Sequence, residues 1–275
     1  MSAVITKMIK NGGFSLNVYQ NLFESCVCSV TDYGGEIWGY KEYESIKKVQ
    51  LKGARAFLGL PKQTSIPGIL AELNWLEPRS RTQLQMIRHF HRMLKLDDNR
   101  LTKKIFLWDK HLNDTGRVST WSSEVKDILY RNNMDNLYDQ LTFPKKDVVS
   151  DLKKSLIEKD QRKWQSKCQT LPKLRTFMKF KDFSKESPHI YKPLSFKQRK
   201  EMSKLRLGLL NLRIETARSI RPSVPPEQRL CLLCNNGDIE DETHFLLSCG
   251  IYDQARQILF DHIPEITPVY ESCVL

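Results

Sequence analysis

No apolar run in this 275-residue chain approaches the roughly 18 residues a membrane helix needs, so a span is not expected. Strand-like alternation of apolar and polar residues is rare, and neither an internal repeat nor a low-complexity tract is found. A Gly-rich phosphate loop, a nucleophile elbow and a cluster of carboxylates beside a lysine are all missing, which argues against an enzyme. The first residues, Met1 to Lys7, carry neither a long apolar stretch nor a small-residue cleavage site, so no secretory signal is expected. Cys273 stands one place too late for prenylation. Seven cysteines, an odd number, do not make a closed disulfide framework. Without a secretory signal, reduced thiols or metal ligands in an intracellular protein are the better expectation.

What is present is helical. Hydrophobic residues make up 40% of the chain and charged residues 28%, a globular composition long enough for one large domain or two smaller ones. Residues 17–38 read as a helix with an apolar stripe of Val18, Leu22, Cys26, Val30, Tyr33 and Ile37, which Gly34-Gly35 should kink or break. A second helix is expected over about 41–58, with Ile46, Val49, Ala54, Phe57 and Leu58 inward and Gly59 and Pro61 ending it. Pro67 and Pro78 bracket a short helix containing Leu70, Leu73 and Trp75. A stronger amphipathic helix over 79–96 faces Leu84, Ile87, Phe90, Met93 and Leu94 inward, and further helices are expected at 101–112, 120–131 and 146–168. The fold class is therefore mostly α: a multi-helix domain, then a basic helical segment, then a small Cys/Cys/His/Cys module. Boundaries fall at Phe143-Pro144-Lys145-Lys146 and at Arg221-Pro222-Ser223-Val224-Pro225-Pro226, dividing the chain into 1–144, 145–221 and 222–275.

Charge marks the same division. The net charge is +12, yet residues 145–221 alone hold 22 Lys/Arg against 8 Asp/Glu, net +14. Residues 222–275 hold two Lys/Arg and are acidic. Lys197, Arg199, Lys200, Lys204 and Arg206 fall within ten residues on a helix expected to open at Ser195, and Arg213 and Arg218 follow Gly208. Lys197, Lys200 and Lys204 share one helical face by their spacing, a stripe that could follow a phosphate backbone. Trp164, Phe177, Phe180, Phe183, Tyr191 and Phe196 are interleaved with these charges and could stack on unpaired bases, or else belong to the core of a solvated basic face.

The most specific pattern is Cys231-x2-Cys234-x9-His244-x4-Cys249. Zinc takes four S/N ligands in a tetrahedron, and a C-x2-C turn presents two sulfurs to one point. Asn235-Asn236-Gly237 offers the reversal that brings His244 back, over a possible short hairpin between Cys234 and His244. His244 and Cys249 are five apart, too far for one clean α-helical face, so a loop or an irregular helix start is expected there. A helix then runs from Ile251 to Phe260, with Ile251, Ala255, Ile258 and Leu259 apolar. Four protein ligands leave no position for a catalytic water, so one structural Zn2+ is the reading, against four buried residues without metal. Cys26, Cys28, Cys168 and Cys273 have no ligand neighbours at suitable spacing and read as buried or idle thiols. His89 and His91 lie on different helix faces, and Leu96-Asp97-Asp98 reads as a solvated turn rather than a polymerase aspartate pair.

Three blocks resemble the C-terminal part of non-LTR (LINE-type) retrotransposon polyproteins, downstream of the polymerase active site. They are Tyr33-Gly-Gly-Glu-Ile-Trp-Gly39 with Phe57-Leu-Gly-Leu-Pro-Lys62; Asn74-Trp-Leu76 through Arg100-Leu-Thr-Lys-Lys-Ile-Phe106; and Leu205-Arg-Leu-Gly208, Ile214-Glu-Thr216, Glu227-Gln-Arg-Leu-Cys231 and Ile239 through Leu246. The third, similar to the entry into the reverse transcriptase zinc-binding motif, is the most specific. The resemblance implies zinc ligation by the Cys/Cys/His/Cys set and binding of element RNA or target DNA, with an intact retrotransposon polymerase in trans as a further partner. It implies no polymerase or endonuclease activity, because the palm aspartates and a nuclease domain are missing from this chain. Two functions follow from the sequence. One is a non-catalytic nucleic-acid-binding remnant with one structural zinc. The other is a helical protein–protein scaffold whose zinc module braces the C-terminal tail. Neither calls for a membrane or a small-molecule substrate.

Overall fold

The computed structural model describes residues 15–117, 120–141, 147–185, 187–192 and 194–261. The expected boundary at 143–146, Cys273 and both chain ends lie outside them. Among the described residues the chain is helical with no strand, and none of its helices is long and apolar enough to cross a membrane. It divides into two compact units, residues 1–171 with 180–200, and residues 172–179 with 201–275. The boundaries drawn from composition do not separate these units, since the basic segment 145–221 is shared between them.

In the first unit, α1 (Leu16–Phe23) runs on through a π turn (Glu24–Cys28) and a short helical stretch (Ser29–Thr31). Gly34, at φ 69°, then opens α2 (Gly35–Trp38). Leu16, Tyr19 and Phe23 are buried, whereas Val18, Val30, Tyr33 and Ile37 are exposed, so the inward face is not the expected stripe. A stripe at four-residue spacing presumes one uninterrupted α-helix, and the π turn and Gly34 interrupt it. The face is set instead by ring packing. Tyr19 stacks on Phe57 at 4.8 Å and Phe23 on Trp75 at 4.8 Å.

Helix α3 (Glu44–Leu58) ends at Gly59, whose φ of 67° is left-handed. A Cβ there would also come within 2.8 Å of Lys200 Cβ, so glycine is required by conformation and by space. Ala54, Phe57 and Leu58 are inward as expected; Val49 is exposed and Gln50 takes an inward place, donating from Nε2 to Leu76 O at 2.8 Å. Helix α4 (Ile66–Leu73) is capped by Ser65, whose Oγ accepts from Gly68 N at 3.4 Å. Helix α5 (Pro78–Leu94) buries Leu84, Ile87, Phe90, Met93 and Leu94, the predicted face. Around it pack α6 (Leu101–Asp114), α7 (Thr120–Arg131), α8 (Asp135–Asp139) and α9 (Val148–Gln169), forming one core with Phe106, Val125, Leu129, Tyr138, Leu152 and Leu156. Asp160 of α9 caps α5 from outside the helix. Its buried carboxylate accepts from Glu77 N and Ser80 Oγ, both at 3.0 Å. Burial pushes its pKa up, against the pull of these donors.

The second unit contains α10 (Arg175–Phe180, less its last residue), α12 (Arg213–Thr216) and α13 (Asp253–Asp261). Helix α11 (Phe196–Arg206) carries the chain from one unit into the other. It opens at Ser195 as expected, with a capping box: Gln198 N donates to Ser195 Oγ at 3.3 Å and Ser195 N to Gln198 Oε1 at 3.0 Å. On α13, Arg256 and Phe260 are buried while Ile251, just before the helix, and Ile258 and Leu259 on it are exposed.

Candidate metal centre and basic surface

The Cys231–Cys234 turn grows from a minimal antiparallel pairing. Leu230 bridges Ile239, Cys231 N donates to Asp238 O at 2.8 Å, and Glu240 N to Arg229 O at 3.0 Å. Asn235 (φ 56°) and Gly237 (φ 77°) adopt left-handed conformations that close the reversal. This is the expected hairpin reduced to one bridge, and it begins before Cys231 rather than after Cys234. Buried Arg229 holds the approach, donating to Val224 O at 2.9 Å and Ile214 O at 2.7 Å.

The irregular segment predicted between His244 and Cys249 is a π turn over His244–Ser248, closed by Cys249 N donating to His244 O at 2.8 Å. An i→i+5 ring lets residues five apart face one point, which an α-helix does not. Asp241 caps the turn, its Oδ1 accepting from His244 N at 2.8 Å. Buried Arg256 fixes the far end through Leu246 O (2.9 Å) and Cys249 O (2.8 Å).

These two devices bring the four predicted ligands together. The sulfurs of Cys231, Cys234 and Cys249 and a ring nitrogen of His244 all lie within 4.8 Å of one another. Cys231 Sγ is 4.0 Å from Cys249 Sγ, and Cys234 Sγ is 3.4 Å from His244 Nε2. A tetrahedral ion with bonds of about 2.3 Å to sulfur and about 2.0–2.1 Å to nitrogen places its ligands about 3.8 and 3.5 Å apart. The Cys3His group therefore has the dimensions to hold one metal ion. The other ring nitrogen, His244 Nδ1, is buried and makes no hydrogen bond among the described residues; Asp238 Oδ2 lies 3.5 Å from it, the place of a ligand-orienting carboxylate.

The thiols are not alike. Burial raises Cys231, but the N–H groups of Cys234 and Leu233, with the His244 and Cys234 side chains, outweigh it and bring the pKa down to about 7. Cys249 is pushed up to about 11, chiefly by burial. A cation at the centre would favour the thiolate of all three.

The module is tied down within its unit by Glu242. Its buried carboxylate accepts two bonds from Arg175 Nη2 (2.8 and 2.7 Å) and one from Thr176 Oγ1 (2.9 Å), and Arg175 also pairs with Glu215 at 2.7 Å. Glu240 Oε2 accepts from Arg213 N at 2.8 Å. The acidic run 238–242 is thus engaged within its own unit, Glu240 and Glu242 by Arg213, Arg175 and Thr176 and Asp241 by His244 N. Arg175, Asp241, Glu242 and Arg256 hold the site, and nothing in the sequence pattern singles them out for it. The ligand spacing carries no signal for them, because their partners are backbone atoms or distant side chains.

The basic residues separate. Lys197 is exposed, and Lys200 is half-buried with its stem against Gly59. Lys204 pairs with Glu201 at 3.0 Å. Arg199 is only 1% exposed: Nε donates to Phe57 O at 2.8 Å and the guanidinium lies 4.2 Å over the Phe57 ring. Arg199 is therefore not a candidate for nucleic-acid binding, contrary to the expectation from its place in the basic run, since a buried guanidinium cannot reach a phosphate. Arg206 sits 5.6 Å over Phe177, Arg218 pairs with Glu215 at 3.4 Å, and Arg213 is half-buried. Of the aromatics, Trp164, Phe177 and Phe183 are core residues and cannot stack on bases; Phe180 is 63% exposed. Helix α9 adds exposed Lys153, Lys154, Lys159, Arg162, Lys163 and Lys167, of which Lys163 pairs with Glu77 at 2.6 Å.

Comparisons with known proteins add no relationship: no family model matches the chain, no curated protein matches it, and no solved structure matches it.

Proposed function

We propose that this chain is a non-catalytic nucleic-acid-binding protein whose C-terminal module folds around one structural Zn2+. Zinc suits the donor set. Three sulfurs and one imidazole are its usual structural ligands, they close the tetrahedron without a water, and the site buries three of the four. The observation that carries nucleic-acid binding is the net +14 of residues 145–221, much of it displayed as exposed lysine and arginine on α9 and at Lys197 of α11, with half-buried Lys200 and Lys204 on the same helix face. The acidic zinc module is a poor phosphate clamp, so the proposed surface lies upstream of it. RNA or DNA is the ligand class, and the resemblance to LINE-type polyproteins fits that reading.

Titration of single-stranded RNA and duplex DNA at several salt concentrations tests it. Replacing Lys197, Lys200 and Lys204 together with Glu should weaken binding strongly. On duplex DNA it should flatten the log–log salt slope by up to about 2.7, at about 0.9 for each phosphate no longer neutralised. Unchanged binding in this variant, with complete loss on chelation alone, would place the surface on the zinc module instead. Metal analysis should find one equivalent of zinc, falling when Cys234 is replaced with Ser; a retained equivalent would refute the ligand set.

A further inference from the structure

Helix α6 turns a hydrophobic face to solvent. Leu101, Ile105 and Trp108 are 71, 55 and 63% exposed, and Leu112 continues the row half-buried. The opposite face satisfies the core. Phe106 is buried against Phe90 and Trp121, and buried Lys103 donates to the carbonyls of Met93 and Leu94 at 3.0 and 3.1 Å. Single exposed apolar residues are ordinary on a protein surface, but a Trp, an Ile and two Leu in one row form a patch. Their spacing of four, three and four is the d-a-d-a seam against which another helix packs.

The edges of the seam indicate the partner. Lys104 and His111 take the g positions along one edge, and Arg100 lies beside the same edge at its start. Arg100 and Lys104 are exposed and make no ion pair among the described residues. The other edge carries Thr102 and Asp109, and Asp109 accepts the Ser122 hydroxyl. A second copy of the chain fits poorly. Antiparallel self-pairing would set Lys104 and His111 against themselves, parallel pairing would need the engaged Asp109, and two chains of net charge +12 repel.

We infer that α6 is a docking surface for an amphipathic helix of a partner protein, one whose apolar stripe is flanked by Glu or Asp. Trp108 is its central anchor, and Arg100 and Lys104 choose the sign of the partner's flank. This surface shares no residue with α9 or α11 and does not depend on nucleic-acid binding.

Two synthetic helical peptides of about three heptads, with Leu and Ile in the seam and either Glu or Lys at the flanks, test this on the full zinc-loaded chain by fluorescence anisotropy. The Glu-flanked peptide should bind and the Lys-flanked one should not. Trp108→Ala should weaken binding at least about tenfold, as expected for an interface tryptophan. The Arg100→Glu/Lys104→Glu variant should transfer the preference to the Lys-flanked peptide. All three side chains are exposed, so the variants should keep the wild-type circular dichroism and melting temperature. Failure of the Glu-flanked peptide to bind, equal binding of both peptides, or indifference to Trp108→Ala would overturn the inference. So would a dimer in sedimentation that Trp108→Ala abolishes, which would assign the face to a second copy.

Discussion

Arg199 lies in the densest basic run of the chain yet is buried, and Arg199→Met separates the two roles this suggests. The guanidinium makes a charge-assisted hydrogen bond to Phe57 O at 2.8 Å and a cation–π contact at 4.2 Å with the Phe57 ring. The first is worth about 1.5–3 kcal/mol net and the second about 0.5–2 kcal/mol. Against this stands the desolvation of the charge, which lowers the Arg199 pKa despite the opposing influence of Tyr19. Met keeps most of the apolar stem but leaves the Phe57 carbonyl unpaired. A net loss of about 2 kcal/mol follows, or roughly 4–8 °C in melting temperature for a unit of this size. The nucleic-acid salt slope should not change, because the side chain meets no phosphate. Thermal unfolding and a salt titration of the same variant check both halves. A slope flattened by about 0.9, with the melting temperature unchanged, would show that Arg199 is a phosphate contact and would refute the structural role.

Gly59→Ala and Gly116→Ala place the same residue at similar left-handed angles, φ 67° and 77°, but of the two only Gly59 faces a neighbour at contact distance among the described residues. Each should lose about 1–2 kcal/mol from strain, with a further loss at Gly59 from displacing Lys200; equal losses in thermal unfolding would show that the contact does not matter. Glu242→Gln removes a buried charge partner of Arg175 and should destabilise the second unit by about 3 kcal/mol while leaving the first intact, which paired thermal melts of zinc-loaded protein would resolve. Chelation should unfold residues around 228–260 and spare the helical signal of α1 to α9; loss of that signal as well would mean the first unit depends on the metal. Burial pushes the thiols of Cys28 and Cys168 up to about 11 and 12, leaving both protonated at pH 8. Alkylation at that pH should therefore be slow at Cys28 and slower still at Cys168, and mass spectrometry that finds Cys168 modified first would contradict its burial.

The Cys3His group was legible in the sequence because these residue types are rare and their spacing is nearly sufficient: Cys231, Cys234, His244 and Cys249 converge as the motif implies. Long amphipathic helices were legible too, since α5, α6, α7 and α9 repeat their apolar residues at 3.6-residue spacing and α3 stops at a clear signal, Gly59. Packing decided the rest. Whether Val18 or Tyr19 points inward depends on a π turn and on the rings of Phe57 and Trp75, which lie far along the chain. Whether Arg199 is a surface charge or a core residue depends on the carbonyl and ring of Phe57, 142 residues away. The outward apolar row of α6 was hidden for a related reason. Leu101, Ile105, Trp108 and Leu112 look like a core face until the structure shows that Phe106 and Lys103 already fill it. Sequence period reports that a helix has an apolar side. Which side meets the core is a property of neighbours that local sequence does not contain.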